Sequence, residues 1–201
     1  MGIRTSTTTD PALVKKAQGG DKDAFVQLYD MYKVRIMNYV YRTIGDYQVA
    51  EEVTQETFIK AHRHIRRYRP TGTFSAWLYR IASNLSKNTL RNLHRRGFRR
   101  SISTIGEGRD IWEAVENHST RPDYAAQQKE LYSRIQKALG KIRMPHRETL
   151  ILHDIEGLSY SDVARITGCK EGTVASRLSR GRREFKKLMA VHQIRKTGDE
   201  Q

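Results

Sequence analysis

The stretch Gly157–Phe185, GLSYSDVARITGCKEGTVASRLSRGRREF, contains two short helical patterns on either side of a glycine, and the second is rich in arginine. Ser159 is a good N-cap for a first helix over Tyr160–Thr167, because its hydroxyl can accept a hydrogen bond from a free amide of the first turn. Gly168 can adopt the left-handed conformation that ends such a helix. A second helix, ending near Met189, follows a short turn. The stretch therefore predicts a helix-turn-helix.

The second helix of this pair has two distinct faces. Its apolar stripe, spaced by three and four residues, consists of Val174, Leu178, Gly181, Phe185 and Leu188. The opposite side carries Thr173, Ser176, Arg177 and Arg180. Small side chains let a helix approach base edges in the major groove, and arginine can bind guanine or phosphate. An ordinary amphipathic helix with a solvated basic face is the alternative.

A supporting helix is predicted immediately before this pair. Pro145 suits the first turn of a helix from His146 to His153, and Gly157 interrupts the chain before the next N-cap. The side chains expected in the core are Leu150, Ile151 and Ile155.

The segment Asp46–Ile65 is predicted to form an amphipathic helix in the N-terminal half. The large side chains expected to turn inward are Val49, Val53, Phe58 and Ile59. Glu52, Gln55 and Glu56 fall on the other side. In a basic protein an acidic face favours a basic protein partner, and a solvated carboxylate face is the alternative.

Another helix is predicted from about Phe74, after the turn-forming loop Tyr68–Thr73. Its expected buried stripe is Leu78, Ala82 and Leu85. A polar ladder, spaced to follow a phosphate backbone, consists of Arg80, Asn84, Lys87, Arg91 and Arg95. A plain charged helix would show the same pattern. Trp77 and Tyr79 are expected to be core or cap residues.

The composition narrows the class of protein. The chain has 201 residues and a net charge of +15, which favours nucleic acid as a partner. With one cysteine it can form no internal disulfide, and it has neither a signal-peptide pattern nor an apolar run long enough to span a bilayer. We expect a cytoplasmic protein without membrane insertion. No catalytic constellation, metal-ligand spacing or phosphate-binding glycine loop is present, so we expect no catalytic residue, metal or cofactor.

The predicted fold class is all-α, with two small helical domains joined by a flexible linker and a helix-turn-helix in the C-terminal domain. The first domain is expected over residues 10–97. Residues 98–125 are polar and become acidic toward their end, as is typical of a linker. The second domain is expected over 126–190, and a frayed tail over 191–201.

The C-terminal motif MPHRETLILHDIEGLSYSDVARITGCKEGTVASRLSRGRREF resembles region 4 of bacterial sigma-70 factors, and most closely the extracytoplasmic-function (ECF) group. In that family, region 4 reads the −35 promoter element. The resemblance implies that Ala175, Ser176, Ser179 and Arg180 face −35 bases or phosphates. Together with Thr173 and Arg177 from the polar face of the helix, these residues make up the expected −35 set: Thr173, Ala175, Ser176, Arg177, Ser179 and Arg180.

Two N-terminal motifs resemble region 2 of the same family. AEEVTQETFIKAHR is similar to the segment that docks on the clamp helices of the polymerase β′ subunit, which implies docking roles for Glu52, Gln55 and Glu56. TFSAWLYRIASNLSKN is similar to the segment that reads and melts the −10 element, with Asn84 holding a flipped base. The expected −10 and melting set is Arg80, Asn84, Lys87, Arg91, Arg95 and Trp77.

The resemblance implies a non-catalytic promoter-specificity subunit. Its implied partners are core RNA polymerase (the β′ clamp helices and the β flap), promoter DNA and an anti-sigma factor. A linker of about 27 residues reaches ~90 Å when fully extended. That is enough for −10 and −35 elements that lie about 70 Å apart at ~3.4 Å per base pair. The alternative is a stand-alone helix-turn-helix regulator that binds DNA without polymerase.

Overall fold

The computed structural model of the protein describes residues 11–95 and 122–198, with side chains in the second range at 128 and 130–190. Within these ranges every regular element is helical, so the all-α prediction is confirmed. The helices are α1 (Pro11–Gln18), α2 (Lys22–Ile44), α3 (Tyr47–His64), α4 (Phe74–Arg95), α5 (Pro122–Lys141), α6 (Met144–Leu150), α7 (Tyr160–Thr167) and α8 (Glu171–Gly198). A 3-10 turn, Ile65–Arg67, follows α3, and a π turn, Ile151–Ile155, follows α6. Most of the predicted linker lies outside the described residues.

Side-chain caps and one glycine set the boundaries of the N-terminal helices. The Asp21 carboxylate accepts a hydrogen bond of 3.0 Å from the backbone N–H of Ala24, which caps α2. Gly45 ends α2 with a positive φ of 87°, a conformation that glycine adopts without a Cβ clash. Asp46 then caps α3 at once. Two long helices joined by so short a connection must pack side by side.

The N-terminal unit is built on α2, α3 and α4, with α1 packed on α2. Its core contains aromatic rings as well as aliphatic side chains, and Tyr32 packs on Phe74 with ring centroids 5.7 Å apart. Full burial of each large apolar side chain contributes about 1.5–3 kcal/mol. The buried large apolar side chains include Leu28, Tyr32, Ile36, Phe58, Phe74 and Leu78.

The C-terminal unit contains the predicted helix-turn-helix. The Ser159 hydroxyl accepts from the backbone N–H of Asp162 at 3.1 Å, and Gly168 ends α7 in the left-handed conformation. Val174 and Leu178 of α8 are buried, as the apolar stripe predicts. Gly181 lets α8 approach α6 closely, because a Cβ there would lie 3.1 Å from the backbone carbonyl oxygen of His146.

Two side chains that the sequence placed in the core are exposed. Ile59 is 45% exposed and Ile155 is 39% exposed. On α3 the buried arc passes through Val53 and Phe58, and Ile59 lies about 100° around the helix from Phe58. The supporting helix ends at Leu150 and continues as a π turn, whose wider backbone turns Ile155 outward.

The two helical units are in contact with each other. Helix α4 packs along α7, and α2 packs against α5, α6 and the π turn. One buried apolar cluster contains residues from both units, including Leu78 of α4 and Ile151 of the π turn. A group of polar side chains lies at the same seam. The helix α8 continues to Gly198, into the segment where the sequence predicted a frayed tail.

Candidate nucleic-acid interface

The first turns of α8 present a polar surface to solvent. Helices α6 and α7 cover the opposite apolar stripe, which fixes the rotation of α8 about its axis. Most of the predicted −35 set is exposed, with Thr173 and Arg177 half-buried. The Ser176 hydroxyl donates to the Thr173 carbonyl oxygen at 3.0 Å. Arg177 and Arg180 make no ion pair with any described residue, so their guanidinium groups are available to an anionic partner.

Neighbouring arginines in the same unit are already engaged. Arg182 donates through two nitrogens to the Asp154 carboxylate, at 2.8 and 2.6 Å, and this bond raises the pKa of Arg182. Arg165 pairs with Asp162 at 3.2 Å. The geometry therefore separates arginines that are held in ion pairs from those that pair with no described residue, a distinction that the sequence pattern does not contain.

The polar ladder on α4 divides into two groups. Arg80, Asn84, Arg91 and Arg95 are exposed. Lys87 is different, because its ammonium group forms an ion pair of 2.9 Å with the buried carboxylate of Glu148 in the C-terminal unit. Four of the five ladder residues thus form an open polar face, and the fifth, Lys87, is held in an ion pair.

An aromatic cluster supports the loop before α4. Trp77 is half-buried and packs on Tyr68 and Phe74, with ring centroids 5.0 and 5.5 Å away. The Tyr68 hydroxyl donates to the Gly72 carbonyl oxygen at 3.1 Å, which closes the loop 68–73. The Gln18 side-chain amide donates to the carbonyl oxygens of Tyr68 and Ile65 at 2.7 and 3.2 Å. These contacts agree with the core or cap position expected of Trp77, and its place in the −10 set stays a prediction.

The predicted acidic face of α3 is on the surface. Glu52 and Gln55 are exposed, and the Glu56 side chain is 44% exposed with Lys60 at 3.5 Å. An exposed pair of this kind is worth about 0.3–0.5 kcal/mol, so Lys60 does not hold Glu56 firmly. Packing of Val53 and Phe58 against the N-terminal core turns the carboxylates outward.

The described residues contain no group of three or more histidine, cysteine or acidic side chains arranged to hold a metal ion. In the same part of the chain, no helix is both long and apolar enough to cross a membrane. The candidate sites are the three exposed polar surfaces described above, one acidic and two basic.

The carboxylates at the seam between the units were not predicted from the sequence. Glu148 and Glu156 are both nearly inaccessible, with side chains 2% and 6% exposed. The one available signal was the position of Glu148 two residues before the apolar run Leu150–Leu152, on a helix expected to face the core. A carboxylate in such a place needs partners, and these lie far away in the sequence.

Two family comparisons cover the surfaces described above. Residues 28–96 match Sigma-70 region 2, and residues 132–185 match Sigma-70 region 4. The first range contains the acidic face and the α4 ladder, and the second contains the helix-turn-helix. The chain therefore belongs to the sigma-70 family, the promoter-specificity subunits of RNA polymerase.

Full-length relatives identify the group within this family. The RNA polymerase sigma-H factor of Pseudomonas aeruginosa is 35% identical over 90% of this chain and 93% of its own length. The ECF sigma factor SigW of Bacillus subtilis is 32% identical over 88% of this chain and 94% of its own. The chain is a sigma factor of the ECF group.

Solved structures give the same fold. CnrH in complex with the cytosolic domain of CnrY has a TM-score of 0.66 and 25% identity, with 90% of this chain and 96% of that chain covered. The sigma factor RpoE in complex with the anti-sigma factor NepR from Bartonella quintana has a TM-score of 0.64 and 26% identity, with 83% and 97% covered.

Proposed function

We propose that each of the three exposed surfaces has a separate role in transcription initiation. The acidic face of α3 (Glu52, Gln55 and Glu56) docks on the β′ clamp helices of core RNA polymerase. The α4 ladder and the loop 68–73 bind and help melt the −10 element. The exposed face of α8 reads the −35 element, and the C-terminal unit contacts the β flap.

The observation that carries this proposal is the selective exposure of unpaired polar groups. Arg180 on α8, and Arg80 and Asn84 on α4, are exposed, Arg177 on α8 is half-buried, and none of them has an ionic partner among the described residues. They lie on two helices in separate units, which suits a binding site in two parts. An acidic face on a chain of net charge +15 suits a basic protein surface rather than DNA.

The subunit works by binding, without covalent chemistry of its own. Core polymerase holds the two units at a fixed separation, so two weak DNA contacts combine through effective concentration. Capture of a flipped −10 base by Asn84 offsets the unstacking energy of a few kcal/mol. We place this activity in the cytoplasm, where bacterial polymerase meets DNA.

An inhibitory protein is part of the proposal. RpoE of Bartonella quintana was solved with its anti-sigma factor, and that chain aligns over 97% of its length with this one. We infer that this chain is also bound and held inactive by an anti-sigma factor. Exposed apolar side chains on its surface, among them Val26, Tyr29 and Val34, are suitable contacts.

The test is reconstitution with purified bacterial core polymerase. The complete chain is mixed with core, binding is measured by pull-down, and transcription is mapped on a genomic promoter library. Stoichiometric binding with start sites that share −35 and −10 motifs is the expected result. DNA binding without binding to active core would overturn the proposal in favour of a stand-alone regulator.

A further inference from the structure

The side chain of Gln18, the last residue of α1, bridges the 3-10 turn that leads into the loop 68–73. Its amide nitrogen donates to the Tyr68 carbonyl oxygen at 2.7 Å and to the Ile65 carbonyl oxygen at 3.2 Å. The Tyr68 backbone N–H donates to the same Ile65 oxygen at 3.0 Å. A primary amide has two N–H groups to donate, so one side chain joins both ends of the turn to α1.

Buried side chains fix the position of α1, and with it the position of Gln18. Val14 and Ala17 are buried, and α1 packs on both α2 and the 3-10 turn. Val14 lies one helical turn before Gln18 on the same face of α1. The Gln18 side chain is itself half-buried. The amide therefore belongs to a packed helix, and little additional side-chain ordering is needed to hold it against the turn.

Tyr68 connects this anchor to the rest of the loop. Its hydroxyl donates to the Gly72 carbonyl oxygen at 3.1 Å, and its ring packs on Phe74 and Trp77 with centroids 5.7 and 5.0 Å away. Gln18 thus holds the backbone of Tyr68, and the Tyr68 side chain holds the far end of the loop. A shift of the Tyr68 backbone would therefore move the loop and disturb the packing of Trp77.

Trp77 lies on the same face of α4 as Asn84, the residue proposed to hold the flipped −10 base. The two positions are seven residues apart, which is about 10 Å along the helix axis at ~1.5 Å per residue. A pocket that must first be ordered by its ligand binds that ligand more weakly, because the ordering subtracts from the binding free energy. A loop that is already held in place avoids this loss.

We propose that Gln18 is a positioning residue for the −10 pocket, whose two hydrogen bonds hold the loop 68–73 in the conformation that accepts the flipped base. Helix α1 thereby takes part in promoter melting, although it precedes residues 28–96, the range that matches Sigma-70 region 2. The effect on melting rests on the proposed function of the loop and Asn84, whereas the anchoring of the loop rests on the hydrogen bonds alone.

The test is Gln18→Met in the complete chain, because methionine keeps a long unbranched side chain that can pack but cannot donate a hydrogen bond. Hydrogen–deuterium exchange of the free chain measures opening of the loop amides. A holoenzyme assay separates closed-complex affinity from the rate of promoter opening. Loss of a neutral hydrogen bond changes an equilibrium by about 2- to 12-fold. We expect faster loop exchange and slower promoter opening within this range, with closed-complex affinity and exchange in α8 at wild-type values.

A second DNA distinguishes positioning of the pocket from general support of the fold. This promoter carries an abasic site at the flipped position, so the pocket has no base to hold. On this DNA the wild type and Gln18→Met should open at equal rates, because the shape of an empty pocket contributes nothing. The comparison is a double-mutant cycle between Gln18 and the flipped base.

Two further variants test the chemistry of the contact. Gln27→Met, the matched control, makes the same change at an exposed position on α2 and should leave loop exchange and promoter opening at wild-type values. Gln18→Glu keeps the length of the side chain but places a carboxylate against two carbonyl oxygens. It should slow opening of the intact promoter more than Gln18→Met does.

The outcomes separate the anchor from the function. Unchanged loop exchange in Gln18→Met overturns the anchoring of the loop. Faster exchange with wild-type opening, or equal slowing on the intact and abasic promoters, overturns the positioning role. Failure of the wild type to bind core polymerase or to open a promoter contradicts the proposed function, and the exchange comparison still decides whether Gln18 anchors the loop.

Discussion

Arg180 and Arg182 lie two positions apart on α8 and allow a matched test of the −35 surface. Arg180→Ala removes an exposed guanidinium that has no ionic partner among the described residues. Arg182→Ala removes one that is 54% exposed and bonded through two nitrogens to Asp154. Both changes remove one positive charge from the same helix, so a purely electrostatic effect of net charge would weaken DNA binding equally.

The structure predicts unequal effects. Loss of a bidentate base contact at Arg180 costs about 1–3 kcal/mol of discrimination, or roughly 5- to 150-fold in affinity for the preferred −35 sequence. If Arg180 instead binds phosphate, affinity falls on all sequences and the salt slope decreases by about 1. Arg182→Ala removes a largely exposed ion pair worth about 0.2–1 kcal/mol of stability.

The assay is promoter affinity of reconstituted holoenzyme as a function of salt, with thermal unfolding of each variant alongside. Holoenzyme is used because, in the proposed function, both promoter elements are read in the complex with core polymerase. Equal losses of promoter affinity for the two variants would refute the distinction between engaged and available arginines.

Four further outcomes are expected. Glu56→Lys should weaken binding to core polymerase at least tenfold and leave thermal unfolding unchanged. Asp30→Lys, the same charge change at an exposed site on α2, should leave core binding unchanged. Equal losses of core affinity for the two variants would contradict the docking surface. Asn84→Ala should slow promoter opening, followed by permanganate reactivity, more than it weakens closed-complex binding; normal opening would exclude Asn84 from the base pocket. Gly168→Ala should lower the free energy of unfolding by about 1–2 kcal/mol, because its φ is 69°; chemical denaturation measures this, and unchanged stability would contradict the strain. Burial raises the pKa of Glu156 above its ordinary value near 4.5, so the folded state binds its proton more tightly than the unfolded state does. The stability that this proton contributes is present below the pKa of Glu156 in the unfolded state and is lost as pH rises through its pKa in the folded state. Glu156→Gln should abolish that part of the pH dependence of the free energy of unfolding. Identical stability–pH profiles for variant and wild type would contradict the raised pKa.

The helix-turn-helix could be predicted from sequence because its signals are local. Ser159 and Gly168 lie at the ends of one short helix, and each acts through backbone groups within a few residues. The stripe through Val174 and Leu178 requires only the helical repeat. The exposed faces of α3 and α4 follow from the same repeat once their buried sides are known.

The seam could not be predicted in this way. Ser83 and Glu148 are 65 positions apart, and Tyr39 and Glu148 are 109 apart, with no local pattern that links them. A helical repeat assigns an inward face, but it does not say whether that face meets its own unit or another one. Lys87 accordingly belongs to a regular basic ladder in the sequence and to an interdomain ion pair in the structure.

Ile155 shows a second limit of predicting buried residues from the helical repeat. A single π turn shifts every later residue around the helix axis, so the side chain expected inside lies outside. The residue roles on α3, α4 and α8, and the boundaries of the two domains, remain predictions for the experiments described above.

The two hydrogen bonds from Gln18 have a practical consequence for anyone who modifies the N-terminus. They tie the end of α1 to the base of the loop 68–73, across 47 and 50 positions of sequence. A tag or a fused domain that pulls on α1 is therefore mechanically connected to the segment beside Trp77.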